Sequence, residues 1–216
     1  MKLTRRNKKG NDIIIVTSWD DGASTDIRIV QLLLEYQLPG IFYLPALLIQ
    51  DTALDYIGIY KNFEIGSHTI NHPELTHIEQ ADALAEIVDS KIILEQKFLG
   101  KEIKSFCYPK GRYNKKIKNM VIEAGYKEAR TVDVLNTEIP IDPFITKPTI
   151  HVHPNRREYK NEKWVVIAKR KIDEVFENGG YFHLWGHSWE VEKFNLWFEL
   201  EDVLKYLHNK FFNLNY

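Results

Sequence analysis

Ile13-Ile14-Ile15-Val16-Thr17-Ser18-Trp19-Asp20-Asp21-Gly22 is an apolar run that ends on two adjacent carboxylates. The β-branched run predicts a strand over residues 13–17. Adjacent acids leaving a strand repel each other unless something positive lies between them, and a divalent cation is the commonest such thing. Nitrogen ligands for one occur further on, in Gly66-Ser67-His68-Thr69-Ile70-Asn71-His72-Pro73. There, two imidazoles lie four residues apart in a segment too polar for a core.

Outward from that first strand, short β-branched or aromatic runs alternate with longer amphipathic ones, the pattern of βα units around a mostly parallel sheet or barrel. Ser24 or Thr25 can cap a helix carrying Ile27, Val30, Leu33 and Leu34, which Pro39-Gly40 ends before a strand at 41–44. Thr76-His77-Ile78-Glu79 has capping-box spacing and opens a helix with Ala81, Leu84, Val88 and Ile92 on its buried stripe and Gly100 past its end. A strand is expected at 105–108, a helix at 115–124 closed by Gly125, and a strand at 126–132. The last third repeats the scheme: helix 164–176, strand 180–185, helix 194–207.

Composition fits one catalytic-size domain spanning residues 1–216, with 1–11 as a flexible tail. The net charge of −1 and the lack of a basic stretch interleaved with exposed aromatics give no footprint for nucleic acid. No apolar run approaches membrane-spanning length, and the basic start has no signal-peptide core behind it, so the expectation is a cytoplasmic protein. A single cysteine, Cys107, excludes an internal disulfide.

The polar motifs share an address. Asp20-Asp21, the His68/His72 segment, Pro109-Lys110-Gly111 and Gly186-His187 all follow predicted strands, and strand C-termini are where barrels and open α/β sheets build their sites. Taken singly, the acids could be turn and capping residues and the histidines loop polarity. Taken together, one carboxylate and two imidazoles make a ligand set that leaves metal positions open for water and substrate.

Thr17-Ser18-Trp19-Asp20-Asp21-Gly22 resembles the first motif of the polysaccharide deacetylases, the NodB-homology carbohydrate esterases, and His68-Thr69-Ile70-Asn71-His72-Pro73 resembles the second. Phe106-Cys107-Tyr108-Pro109-Lys110-Gly111 and Leu184-Trp185-Gly186-His187 stand where the third and last motifs are expected. The resemblance implies an α/β fold, the distorted (β/α) barrel of that family, with the site at the strand C-termini. It implies hydrolysis of the acetamide of an N-acetylated sugar, dependent on one divalent metal. Zinc leads, with cobalt, manganese or iron(II) also suited.

Carried over by position, Asp21, His68 and His72 would hold the metal, Asp20 would be the general base and His187 the general acid. The backbone N–H of Lys110, where the family usually has tyrosine, would help hold the oxyanion. Two departures follow. The arginine expected after the phenylalanine, to orient the base, is Cys107 here; Arg130 and Arg112 are candidates to replace it, with Arg130 preferred for its place at a strand end. The fourth motif is not clear, so either Asp133 or Glu190 could orient His187.

His183 could stand behind the site or be a hydrogen-bonded core histidine, and His151 and His153 could line a cleft or simply belong to a polar loop. His77 and His208 are excluded. Trp19, Tyr108 and Trp189 are candidates for a sugar-binding wall, since pyranose C–H faces pack on aromatic rings. Two alternatives differ in chemistry: a non-sugar amide or ureide hydrolase of the same superfamily, resembling allantoinases, and a catalytically silent carbohydrate-binding module.

Overall fold

β2, Asp12–Asp20, is the axis of the fold in this computed structural model, which describes residues 2–50 and 55–213. It runs three residues past the expected end because it is paired on both sides. β8, Gly180–Gly186, follows it in parallel from Ile13↔Gly180 to Trp19↔Gly186, and β3, Ile41–Leu44, takes the other side from Ser18 to Asp20. Every residue from Ile15 to Asp20 is buried, as expected of a central parallel strand covered on both faces.

The remaining parallel strands are β4, Glu64–Ser67; β5, Ser105–Cys107; β6, Glu128–Arg130; and β7, Ile150–His151. Their order is β6-β5-β4-β3-β2-β8-β7. β6 and β7 do not pair among the described residues, and β6 makes an isolated bridge, Arg130↔Thr146, to the segment before β7, so the expected barrel is an open one. The inner face of the sheet packs Val16, Ile41, Tyr43, Cys107 and Tyr181 together, while the other face meets the helices in the larger core. Period-two alternation along β2 then places Val16, Ser18 and Asp20 on the inner face.

The N-terminal residues expected as a tail include a strand. β1, Leu3–Arg6, pairs antiparallel with the first half of β2, from Leu3↔Ile15 to Arg6↔Asp12. The turn between them is closed by Asn7, whose Oδ1 accepts from the N–H groups of Lys9 and Asn11. Basic residues on a short edge strand look like a solvated tail in sequence, but here Leu3 packs on the core while Arg6 pairs with Asp12.

The helices are α1, Asp26–Glu35; α2, Tyr56–Ile59; α3, Gln80–Lys97; α4, Lys115–Glu123; α5, Trp164–Asn178; α6, Ser188–Lys193; and α7, Trp197–Phe212. α1 buries Val30 and Leu33 as expected but leaves Ile27 and Leu34 exposed, using Ile29 and Leu32 instead. On α3 the stripe is displaced: Ala83, Ile87, Ser90 and Leu94 are buried, whereas Leu84 and Ile92 are exposed. The reason is polar. Ser90 faces inward to meet the Ser67 hydroxyl at 2.7 Å at the end of β4, a demand that apolar periodicity does not reveal.

The capping box does not form, because Glu79 itself is the N-cap of α3 and Leu75–His77 is a separate 3-10 turn. The final helix expected at 194–207 is α7, Trp197–Phe212; α6 before it was not expected, and the two are separated by a turn at Asn195 with φ 53°. No helix among the described residues is long and apolar enough to cross a membrane.

Candidate active site

The C-terminal ends of β2, β4, β5, β6 and β8 bring the motif residues to one rim. Asp20 is the last residue of β2 and is 2 % exposed. Its Oδ2 accepts from the Arg130 guanidinium, and from Trp185 Nε1 at 2.8 Å; Oδ1 is buried with no hydrogen-bond partner among the described residues. Burial alone would raise this carboxyl, but Arg130, helped by His68 and His187, outweighs it and holds the group at about 2. Asp20 is therefore ionised with one oxygen anchored and one free.

Arg130, one of the two arginines expected near Asp20, contacts it directly. It ends β6, in register with Cys107 on β5, and its guanidinium donates to Asp20 Oδ2, to Cys107 Sγ at 2.8 Å and to the Thr131 carbonyl. Stacking over Trp185, 4.6 Å from the ring centroid, fixes its plane. The small Cys107 side chain leaves room for the guanidinium to reach across from the next strand, and burial pushes its thiol up, which suits packing rather than nucleophilic work. Arg112, the other candidate, is exposed.

Asp21 turns away from its neighbour. Its φ of 76° is a left-handed conformation that reverses the side-chain direction after β2. Asp21 Oδ1 lies 3.8 Å from His68 Nε2, and one ligand atom each from Asp21, His68 and His72 falls within 4.8 Å of the others. The two imidazoles meet edge to face at 4.4 Å between centroids. His68 Nδ1 donates to the Cys107 carbonyl at 2.9 Å, which assigns its proton and leaves Nε2 as an accepting lone pair, 3.9 Å from Cys107 Sγ. Burial pushes His68 down to about 4, so the ring is neutral.

The loop bearing these histidines is held from α3: the Glu86 carboxylate accepts from the Ile70 and Asn71 N–H groups at 2.7 and 2.9 Å and from the Asn71 amide. Thr69 and His72 both take positive φ, a strain that Glu86 and the Thr69 hydroxyl, accepting from His72 N–H, offset. Glu86 gave no sequence signal beyond lying on a helix.

His187 follows β8 and faces both acids, with Nε2 3.8 Å from Asp20 Oδ2 and from Asp21 Oδ2. Glu190, one turn into α6, accepts from His187 Nδ1 at 2.6 Å; Asp133 is exposed, paired with Lys147 at 3.6 Å, and plays no part. Burial opposes a charge on His187, but Glu190 and Asp20 outweigh it and raise the imidazole above its ordinary value. Lys110 sits in the turn after β5 with φ 54°, and its side chain points to Glu74 at 3.7 Å.

Two of the three aromatic candidates are corrected. Trp19 is fully buried among the core residues on the outer face, because alternation puts it opposite Asp20, and Tyr108 is fully buried with its hydroxyl on the Phe144 carbonyl. Trp189 is 40 % exposed, 5.4 Å from the His187 ring, and its Nε1 donates to Asp21 Oδ2. His183 is a core histidine between the Ser18 and Tyr181 hydroxyls, both at 2.8 Å. His151 and His153 stand beside Glu190 at 2.9 and 3.7 Å.

Asp26 at the start of α1 is a buried acid that the sequence did not single out. It receives hydroxyls from Tyr60 and from Ser188, the residue after His187, and burial raises it to about 7.

Similar architecture recurs among solved structures. A family 4 carbohydrate esterase from Streptomyces lividans in complex with acetate is 13 % identical, with a TM-score of 0.59 over 91 % of this chain and 86 % of that one. The Streptococcus pyogenes deacetylase PplD in complex with acetate is 19 % identical, with a TM-score of 0.55 over 61 % of this chain and 62 % of its own. A CE4 family pseudoenzyme from Bacillus anthracis is 12 % identical, with a TM-score of 0.59 over 94 % of this chain and 61 % of its own. The chain thus spans less than two thirds of the length of the last two. At these identities the likeness is one of fold, the (β/α) barrel of this group. No curated protein matches the sequence. The family described as polysaccharide deacetylase matches residues 7–129, more than half of the chain. The protein belongs to the polysaccharide deacetylase family.

Proposed function

We propose that the protein hydrolyses the acetamide of an N-acetylated sugar, releasing acetate, with Asp20 as general base and His187 as general acid. The observation that carries this reading is the separation of charge states at the rim: Asp20 held ionised at about 2 beside His187 raised above its ordinary value, 3.8 Å apart. A base and an acid poised on one reacting group are what amide hydrolysis requires.

Asp21, His68 and His72 fit a divalent cation. His68 offers Nε2 because its other nitrogen is committed to the Cys107 carbonyl, and the three ligand atoms lie close enough for one ion. A cation held there supplies Lewis acidity, lowering the pKa of water and polarising an amide carbonyl. Two imidazoles and a carboxylate suit zinc, cobalt, manganese or iron(II).

In this reading the free Oδ1 of Asp20 takes the proton of the attacking water, while Arg130 and Trp185 keep Oδ2 in place. His187 Nε2 gives a proton to the departing amine, its Nδ1–H fixed by Glu190. The backbone N–H of Lys110 contributes to the oxyanion, and Trp189 offers its indole face to a sugar ring. The substrate class rests on the family and on the acetate named with two similar structures. One catalytic domain is inferred, supported by a sheet whose strands come from residue 3 through residue 186.

A pseudoenzyme shares this fold, but a silent module needs neither an anchored base nor an oriented acid. Acetate release from a panel of N-acetyl-amino sugars, with zinc, cobalt or manganese supplied, tests the proposal. Asp20→Asn is expected to keep its metal and lose activity by at least about 100-fold. Metal-independent turnover of a ureide would defeat it.

A further inference from the structure

Glu190, the partner of His187, is itself held. Its Oε2 accepts from His187 Nδ1 at 2.6 Å and from His151 Nε2 at 2.9 Å. His151 ends β7 in register with Trp185 on β8, and its ring stacks on that indole at 3.9 Å between centroids and 15° between planes. The Tyr159 hydroxyl clamps its backbone, accepting from His151 N–H at 2.8 Å and donating to its carbonyl at 2.7 Å. The ring has no freedom to turn.

Arg156 Nη1 lies 3.4 Å from His151 Nδ1, and its other terminal nitrogen donates to the Val132 carbonyl and to Glu158. A guanidinium only donates, so His151 Nδ1 must accept. The single proton of a neutral His151 is then on Nε2, aimed at Glu190. Burial pushes His151 down to about 4, against the pull of Glu190, so the ring carries one proton and not two. A carboxylate accepting two N–H bonds on one oxygen fixes both donors in direction, and His187 is left with Nε2 as the only nitrogen facing the acids.

We propose that His151 and Arg156 are positioning residues for the acid, linked in one line of hydrogen bonds, Arg156 to His151 to Glu190 to His187, that sets the tautomer and ring angle of His187. The proposal rests on the reading of His187 as general acid. It assigns two residues from the segment around β7 to the task that the unclear fourth motif left open, and gives His151 a role other than lining a cleft. The bonds converge on Glu190, which accepts from both imidazoles: every hydrogen in the line has a donor and an acceptor, with no conflict at either ring.

Two measurements test it on the full chain. Spectra of the protein with 15N-labelled histidine read the tautomers directly. The expected pattern is Nε2–H at His151 and Nδ1–H at His187; Nδ1–H at His151 overturns the proposal. In acetate release, His151→Phe keeps the stack on Trp185 and removes the donor, and is expected to lower kcat about 10-fold at unchanged KM and metal content. His151→Gln, which restores an N–H donor, is expected to recover most of that loss, and Arg156→Met to lower kcat by a smaller factor. A His151→Phe protein as active as the parent overturns the proposal. Should no sugar be turned over at all, the functional reading fails, and the wild-type tautomers still decide the line of bonds. They decide it equally if a variant does not fold.

Discussion

The two halves of the rim proposed to handle protons are assembled over very different distances along the chain. Asp20 is held by an arginine 110 residues away, across strands that must first pair, whereas His187 is held by a glutamate three residues on, within the next helical turn. Asp20 is also sealed, at 2 % exposure and bound to a guanidinium that is 1 % exposed, while the His187 half opens toward solvent through Trp189. One half is bound up with the stability of the fold; the other should be separable from it.

Arg130→Met breaks the contrast most severely. Removing one partner of a buried pair strands the other charge, so stability is expected to fall by about 3–5 kcal/mol in urea unfolding, along with activity. Cys107→Arg placed in that background should return part of both. A loss below about 1 kcal/mol would show that the base half is no more tied to folding than the acid half. Acid unfolding checks the same pair. The folded value of Asp20 lies below its unfolded one, near 3.8, so its contribution is present above that pH and is lost as pH falls toward about 2.

Glu190→Ala is expected to cost about 100-fold in kcat, equivalent to about 2.7 kcal/mol, with a smaller change in unfolding free energy than the arginine variant. Equal losses of stability in the two variants would erase the distinction. Asp26 sharpens it, since this acid joins α1 to α6 through Ser188. Its folded value, about 7, lies above the unfolded one, near 3.8, so the folded state binds the extra proton and stability declines as pH rises between them. Asp26→Asn should flatten that slope, which reaches at most about 1.4 kcal/mol per pH unit; an unchanged profile from pH 4 to 7 would remove Asp26 as its source. Trp189→Ala, at the exposed edge, should have the least effect: a few-fold rise in KM, about 1 kcal/mol, with stability nearly unchanged.

What the sequence made legible follows the same division. The strands ahead of Asp20 and His187 were readable because each local pattern carried its own punctuation, although the first runs three residues longer than expected, and Glu190 was one of two options, with Asp133, for the partner of His187. The Arg130 contact was only one of two options, since nothing local says that β5 and β6 register Cys107 against Arg130. His151 and Arg156 lie in a stretch with a two-residue strand and little pattern, and their partners are set by tertiary packing alone. Trp19 and Tyr108 were misplaced for a further reason. Neighbourhood to a motif in sequence does not say which face of a strand a side chain takes, and a one-residue step reverses it. The stripe of α3 failed because Ser90 and Glu86 orient that helix for polar contacts, which hydrophobic spacing cannot report.

Cys107 and Arg130 together form a single slot written across two strands. The cation is specified by a point in space that either registered neighbour can supply, so a linear pattern demanding arginine after the phenylalanine would reject chains of this build, while one written on the strand pair would keep them. The trade between the two positions is also uneven to cross. One substitution at a time leaves beside Asp20 either two cations or none, and both are disfavoured, so lineages on either side of the exchange should tend to stay there.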